Sequence, residues 1–222
     1  MDLSRASFLF VDFQGLLCSV DSNEGVKRNA WNNRTAKLCA DLLPQLRALA
    51  PVAWTLYWNF DRKGDQYPAY VEGKDYKYGD DKQDPVHVIP EGDERIYFKR
   101  TDELLSDWFA EQRDAVIDDL RQRGINTLVI GGCNGGDCIL STAVTALRAG
   151  FKVYIIKELV SSNKEDAKHI MEALREETSK GLQFVSLKEL GVKVPKPPNI
   201  LMQAFRGFLP QPQNNNNHTI NV

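Results

Sequence analysis

The chain has 222 residues, 42% of them apolar, and its 28 basic against 30 acidic side chains leave a formal charge of −2. That length buries a sizeable core in a single domain, and the balanced charge gives no global attraction to nucleic acid. The amino terminus carries Asp2 and Asp12 and no uninterrupted apolar run, so it reads as neither a secretory signal nor a membrane span, and a cytoplasmic location is expected.

Residues 7–13, Ser7-Phe-Leu-Phe-Val-Asp-Phe13, read as a strand ending in an acid. From Asn29 to Leu49 apolar residues return at helical spacing through Ala36, Leu38, Cys39, Leu42, Leu43, Leu46 and Leu49, with Pro44 as a point of kinking or interruption. Pro51 to Tyr57 reads as a second strand. The polar stretch from Asp61 to Gly92, rich in Tyr, Lys, Asp and Gly, is long for a loop inside a compact domain and is expected to be functional, as a lid. Arg95 to Arg100 is a short strand, and a helix near Asp102–Arg123 is ended by Gly124. A strand at Thr127–Ile130 runs through a glycine-rich turn into a helix that carries Cys138 in its first turn and extends to Ala149. A strand at Lys152–Ile156, a helix at Lys164–Lys180 and a strand at Leu182–Ser186 complete the series. There are no internal repeats. The alternation predicts an α/β fold, a three-layer α/β/α arrangement with a Rossmann-like, doubly wound, mainly parallel sheet of about six strands.

Residues 1–191 are thus expected to form one domain. Residues 192–222 turn Pro-rich and then Asn-rich, through Pro195, Pro197, Pro198, Pro210 and Pro212 to Asn214–Asn217, and read as an extended arm or disordered tail. Within it Ile200–Leu209 is an apolar island that either docks back, swaps onto a partner subunit or binds another protein.

In a parallel sheet the carboxyl ends of the strands line the ligand crevice. Asp12 falls there, the strand Arg95–Arg100 delivers Lys99 to the same edge, and the turn after Thr127–Ile130 delivers Cys138. A helix start offers unpaired N–H groups and partial positive charge, which favour a thiolate and an oxyanion. Glycines 131, 132, 135 and 136 let the backbone turn sharply and approach a substrate closely. Taken singly, Cys138 reads as a buried helix-start residue, Asp12 as a turn cap and Lys99 as a solvated strand end. Together they read as a constellation.

Histidine scarcity narrows the mechanism. His87, His169 and His218 fall in the long loop, a predicted helix and the tail, so a Cys-His arrangement has no well-placed base and Asp12 must serve. No Gly-x-Ser-x-Gly elbow is present, and Gly131–Gly136 fits neither the dinucleotide nor the P-loop spacing. His87 with Asp61 reads as solvated loop, so no metal or other cofactor is expected. The four cysteines read as reduced thiols, with Cys18, Cys39 and Cys133 as core or near-site packing. Trp54, Tyr57, Trp58 and Phe60 cluster at the end of the second strand. Core packing accounts for Trp54, which also counts among the pocket candidates, while Tyr57 and Trp58 read as a wall that stacks a planar substrate.

With these residues in view, the chain resembles the isochorismatase-like cysteine hydrolases, which include isochorismatases, nicotinamidases and carbamoylsarcosine amidases, from about Ser7 to about Leu190. Val11-Asp12-Phe13-Gln14 resembles the family's first-strand Asp-x-Gln, Phe98-Lys99-Arg100 its Lys, and Gly132-Cys-Asn-Gly-Gly-Asp-Cys138-Ile its Gly-x-x-Thr-x-x-Cys-Val turn. The resemblance implies Asp12 as general base, Lys99 as electrostatic partner and Cys138 as nucleophile, with Gln14 in the substrate pocket. It also implies a non-proline cis peptide at Cys133-Asn134, with the backbone N–H groups of Asn134 and Cys138 as an oxyanion hole. Three positions depart from the pattern: Gly135 replaces the usual Thr, Thr101–Leu105 replaces a Ser-Ala-Phe segment, and Asp137 precedes the nucleophile. Asp137 is expected to point outward, because its charge would oppose thiolate formation.

The metal-binding branch of the family carries Asp-x-His where this chain reads Thr55-Leu-Tyr-Trp-Asn-Phe-Asp61, which implies the metal-independent branch. The implied activity is hydrolysis of a small amide or carbamoyl C–N bond through a thioester. Two alternatives stand beside it: vinyl-ether hydrolysis of isochorismate with Asp12 as the acid, and a non-catalytic, effector-like binding protein on the same fold. A small-molecule substrate is implied and a homo-oligomer, dimer or tetramer, expected; nucleic acid and membrane are not expected as partners.

Overall fold

The computed structural model describes residues 1–18, 26–57, 69–79, 84–99, 110–133, 135–161 and 181–195, with the side chains of 26–29 and 110–111 left out. The predicted helix at Lys164–Lys180, the tip of the long insertion, Trp58, Asn134 and nearly all of the tail lie outside the described residues. The chain divides into one unit over Met1–Val192 and a second over Lys193–Val222; all that follows concerns the first.

Strand β1 (Ala6–Val11) leads to a short helix α1 (Gly15–Cys18) and the long helix α2 (Val26–Arg47). Then come β2 (Val52–Tyr57), β3 (Tyr70–Glu72), a 3-10 turn at Gly73–Asp75 and β4 (Arg95–Lys99). Helix α3 (Ala110–Gln122), β5 (Thr127–Gly132), a π-helical turn at Gly135–Ile139 and α4 (Leu140–Arg148) follow, and β6 (Lys152–Val160) and β7 (Leu182–Val185) close the unit. The strands lie in the order β3-β4-β2-β1-β5-β6-β7. Every neighbouring pair is parallel except β3 with β4. The sheet therefore has seven strands where about six were expected. The addition comes from inside the insertion, where Tyr70, Val71 and Glu72 pair with Tyr97, Ile96 and Arg95.

β1 is buried at every position, as a central strand covered on both faces must be. Phe8 and Phe10 pack with Trp54, Ile96 and the α2 residues Ala36, Cys39, Leu42, Leu43 and Leu46. Leu9 and Val11 pack with Ala53, Tyr97 and residues of α3 and α4, among them Val116, Leu120, Ala143 and Ala146. These two cores are the two interfaces of a three-layer fold. α2 runs through Pro44, which sits on the exposed side, so its missing N–H costs no buried hydrogen bond. Leu49, expected on the helix's apolar face, lies beyond the helix end and is 38% exposed.

Two connections hold the segment after β1. The insertion returns alongside it, with the Gly15 N–H donating to the Asp84 carbonyl (3.1 Å) and the Val86 N–H to that of Phe13 (2.8 Å). The described parts of the predicted lid are thus anchored, at the sheet edge through β3 and beside residues 13–15. The second connection is at Gly132, whose φ is +136° and where a Cβ would lie 2.1 Å from the Val11 carbonyl oxygen. Only glycine fits where β5 crosses so close to β1.

Candidate active site

Asp12, Lys99 and Cys138 converge at the carboxyl ends of β1, β4 and β5. Alternation along β1 would send Asp12 to the α2 face with Phe8 and Phe10, whereas Thr55 and Lys99 follow Ala53 and Tyr97 onto the other. The backbone of Asp12 breaks the alternation with a φ of +57°, a left-handed conformation that Asp adopts more readily than most residues. The carboxylate then meets Lys99 Nζ at 2.7 Å through Oδ2 and Thr55 Oγ1 at 3.3 Å through Oδ1. The Asp12 N–H donates to the Thr55 carbonyl (3.0 Å) and its own carbonyl accepts the Gln14 N–H (2.8 Å). Such a conformation costs on the order of 1–3 kcal/mol and persists because its surroundings over-determine it.

Cys138 occupies the π-helical turn Gly135–Ile139 ahead of α4, where an ordinary helical first turn was expected. Insertions of this kind recur at functional sites because the widened turn re-aims one side chain. The Cys138 thiol lies close enough to the Asp12 carboxylate and the Lys99 ammonium for both to act on its titration. It is 7% exposed, against 0% for Cys18, Cys39 and Cys133. Asp137 is exposed, as expected.

The electrostatics correct one expectation. Burial and then the Asp12 charge push the Cys138 thiol up to about 12, with Lys99 opposing. A helix start was expected to favour the thiolate; loss of water and an adjacent carboxylate outweigh it, so the resting group is a thiol. Burial also raises Asp12, with Lys99 holding it back. For Lys99 burial alone pulls downward, but Asp12 and Cys138 together raise it, and the ammonium stays charged.

The remaining predicted residues divide. Cys133 is buried beside the site, its thiol donating to the Asp12 carbonyl at 3.1 Å and lying 3.8 Å from Cys18 Sγ. Gln14 is buried and clamps the Tyr57 backbone, accepting its N–H at 2.7 Å and donating to its carbonyl at 2.9 Å. Tyr57 is half-buried, with Lys99 Nζ 5.8 Å from its ring centroid. Trp54 is not a pocket residue. It packs on Phe10 with ring centroids 5.1 Å apart, and its indole N–H donates to Glu94 Oε2 at 2.9 Å, where Glu94 also pairs with Arg47. The polar partner that a buried indole requires lies just before β4, away from Asp12. Trp58 and Asn134 lie outside the described residues.

Sequence reasoning missed Thr55, and it missed Asn32 and Ser161, which hold the backbone around the site. Ser161 follows β6; its N–H donates to the Gly132 carbonyl and its carbonyl accepts the Gly135 N–H, both at 3.0 Å. No motif marks such residues.

Among the described residues no group of three or more His, Cys, Asp or Glu side chains could hold a metal ion.

Comparison with known proteins agrees with this architecture. The chain is similar to an isochorismatase-like hydrolase from Alkaliphilus metalliredigens, with a TM-score of 0.63 at 16% identity over 85% of this chain and 96% of that one. Pyrazinamidase of Pyrococcus horikoshii, solved in complex with zinc, gives 0.58 at 20% identity over 82% and 99%. N-carbamoylsarcosine amidase from Thermoplasma acidophilum gives 0.54 at 15% identity over 82% and 96%. At such identities the likeness establishes the fold. In sequence, 47 residues are 34% identical to maleamate amidohydrolase of Pseudomonas putida, a match that spans 21% of this chain and 22% of that relative. The Isochorismatase domain profile matches residues 6–183, a span that encloses Asp12, Lys99 and Cys138, and the chain belongs to the isochorismatase family of hydrolases.

Proposed function

We propose that the protein is a metal-independent cysteine hydrolase that cleaves a small amide or carbamoyl C–N bond. The observation that carries this reading is the buried triple of a thiol, a carboxylate and an ammonium, in which the carboxylate and the ammonium form an ion pair at 2.7 Å and both act on the thiol. Asp12 takes the Cys138 proton as sulfur attacks the carbonyl carbon, so the anion passes directly from carboxylate to developing oxyanion. The backbone N–H groups of Cys138 and Asn134 receive that oxyanion. Collapse of the tetrahedral adduct breaks the C–N bond, and Asp12 returns its proton to the leaving nitrogen, leaving a thioester. Water, deprotonated by the same carboxylate, hydrolyses the thioester and restores the thiol. Lys99 keeps one positive charge beside the site through every step, which a dry environment requires. Tyr57 supplies an aromatic wall, and Trp58 is assigned to the same wall.

The raised Asp12 supports a second reading within the family. A carboxylic acid there would protonate the vinyl ether of isochorismate, water would add to the resulting oxocarbenium ion and the hemiketal would collapse to release the alcohol, so that no nucleophilic Cys would be needed. A panel of small amides, ureas and isochorismate, assayed with the wild type and Cys138→Ala, separates the two. Loss of turnover by a factor on the order of a thousand or more in Cys138→Ala supports the thioester route. Retention of activity by Cys138→Ala with loss in Asp12→Asn replaces it with the vinyl-ether route.

A further inference from the structure

We infer that Asn32 and Ser161 form a positioning relay that sets the nucleophile turn against the segment bearing Asp12; the inference deepens the site reading above and rests on it. Asn32 lies in α2 and Ser161 just beyond β6, 129 residues apart in sequence. Both are buried polar residues, at 1% and 3% exposure. The Ser161 hydroxyl donates to the Asn32 amide oxygen, and the Asn32 amide nitrogen donates to the Leu17 carbonyl at 2.9 Å. The next residue repeats the contact, with Asn33 Nδ2 on the Cys18 carbonyl at 2.9 Å. α2 therefore caps the last carbonyls of α1, which begins three residues after Asp12, satisfying groups that a helix end leaves open.

At its other end the relay grips the nucleophile turn. Ser161 brackets it through two backbone hydrogen bonds, giving its N–H to Gly132 and accepting from Gly135, so it straddles the two residues between. The Ser161 hydroxyl is thus a side-chain link between the carbonyl end of α1 and the loop that carries Cys138. Proton transfer between Asp12 and the thiol depends on their separation, and a displacement of about 1 Å costs up to roughly a hundredfold in rate. Neither Asn32 nor Ser161 is assigned contact with substrate or sulfur; both act through the backbone they hold.

Ser161→Ala removes the hydroxyl and keeps both backbone brackets, Ser161→Thr restores a hydroxyl, and Asn32→Ala removes both ends of the link. The measurements are kcat and KM on the amide identified by the panel, together with the pH dependence of Cys138 alkylation by iodoacetamide in the absence of substrate. Circular dichroism and thermal melts establish folding. The expected result is a fall in kcat of about tenfold or more in Ser161→Ala and Asn32→Ala with KM changed less than twofold. The midpoint of the alkylation profile shifts in both variants, and Ser161→Thr recovers most of both properties. Folded Ser161→Ala and Asn32→Ala with wild-type kcat and a wild-type alkylation profile would overturn the relay. An equal effect of Ser161→Thr and Ser161→Ala would also overturn it, because bulk and not the hydroxyl would then matter. Alkylation reports on Cys138 whatever the substrate, so failure of the amidase reading, seen as full activity in Cys138→Ala, is a separate outcome.

Discussion

Lys99 Nζ stands 2.7 Å from Asp12 Oδ2 with both side chains fully buried. Two charges withdrawn from water in this way gain little net stability over an apolar pair, yet removing one partner costs about 3–5 kcal/mol because the other is left uncompensated. At 2–4 °C per kcal/mol for a domain of this size, Lys99→Met should lower the melting temperature by about 10 °C and abolish turnover. Adding Asp12→Asn removes the orphaned charge and suits the left-handed backbone, so the double variant should regain most of the lost stability but no activity. Thermal melts of the two single variants and the double variant test this, and a Lys99→Met protein as stable as wild type would show that the pair is not coupled.

Thiol reactivity follows from burial. Cys138, alone among the four cysteines in having residual exposure, should be the site labelled first by iodoacetamide. Its rate at neutral pH should lie well below that of a free cysteine and climb as pH rises toward about 12. Peptide mapping across pH 6–10 reads both features; preferential labelling of Cys18, Cys39 or Cys133 contradicts the assignment.

Alkaline stability carries a sign that these groups determine. Burial raises Cys138 from an ordinary 9.0 to about 12, and raises Cys39 and Cys133 well above that ordinary value. The folded state therefore keeps protons that the unfolded chain releases, so this contribution is intact below pH 9 and is lost progressively as pH rises above it. Each thiol adds a slope of about 1.4 kcal/mol per pH unit in that window. Urea unfolding at pH 8, 9 and 10 should show falling stability, with a shallower fall in Cys39→Ala, which lies away from the site; an unchanged slope in that variant refutes its part.

The proposed metal independence rests on the donor set. At the end of β2 the sequence reads Tyr57, Trp58 and Asn59 in place of Asp-x-His, and His87, in the long insertion, is exposed. Dialysis against a strong chelator should leave turnover within about twofold of the starting value, since no step routes through a metal. Stoichiometric zinc, iron or manganese, with activity lost on removal and restored on return, would assign the chain to the other branch.

Asp12, Lys99 and Cys138 were legible because each closes an apolar run or a glycine-rich turn, and parallel sheets gather such ends at one edge. β3 was not: Tyr70–Glu72 is three half-buried residues, a backbone pairing with no periodicity to betray it. Nor was the turn of Asp12 toward Lys99, which depends on one left-handed residue against the alternation of β1. Trp54 was grouped with its aromatic neighbours because Glu94, its actual partner, is 40 residues away. The thiol's protonation was misread for a related reason: a helix start is a local cue, whereas burial and the carboxylate beside Cys138 arise only when distant strands meet. Thr55, Asn32 and Ser161 are single polar residues whose partners lie 43 and 129 residues off in sequence, beyond any motif.

Covalent capture tests the central claim most directly. With an amide substrate identified, acid quench during steady-state turnover followed by intact-mass and peptide mass spectrometry should find the acyl group, less its amine, on the peptide carrying Cys138. Replacing Cys138 by Ala should remove both adduct and turnover. Sustained turnover with no adduct on that peptide, and with Cys138→Ala near full activity, would contradict the account.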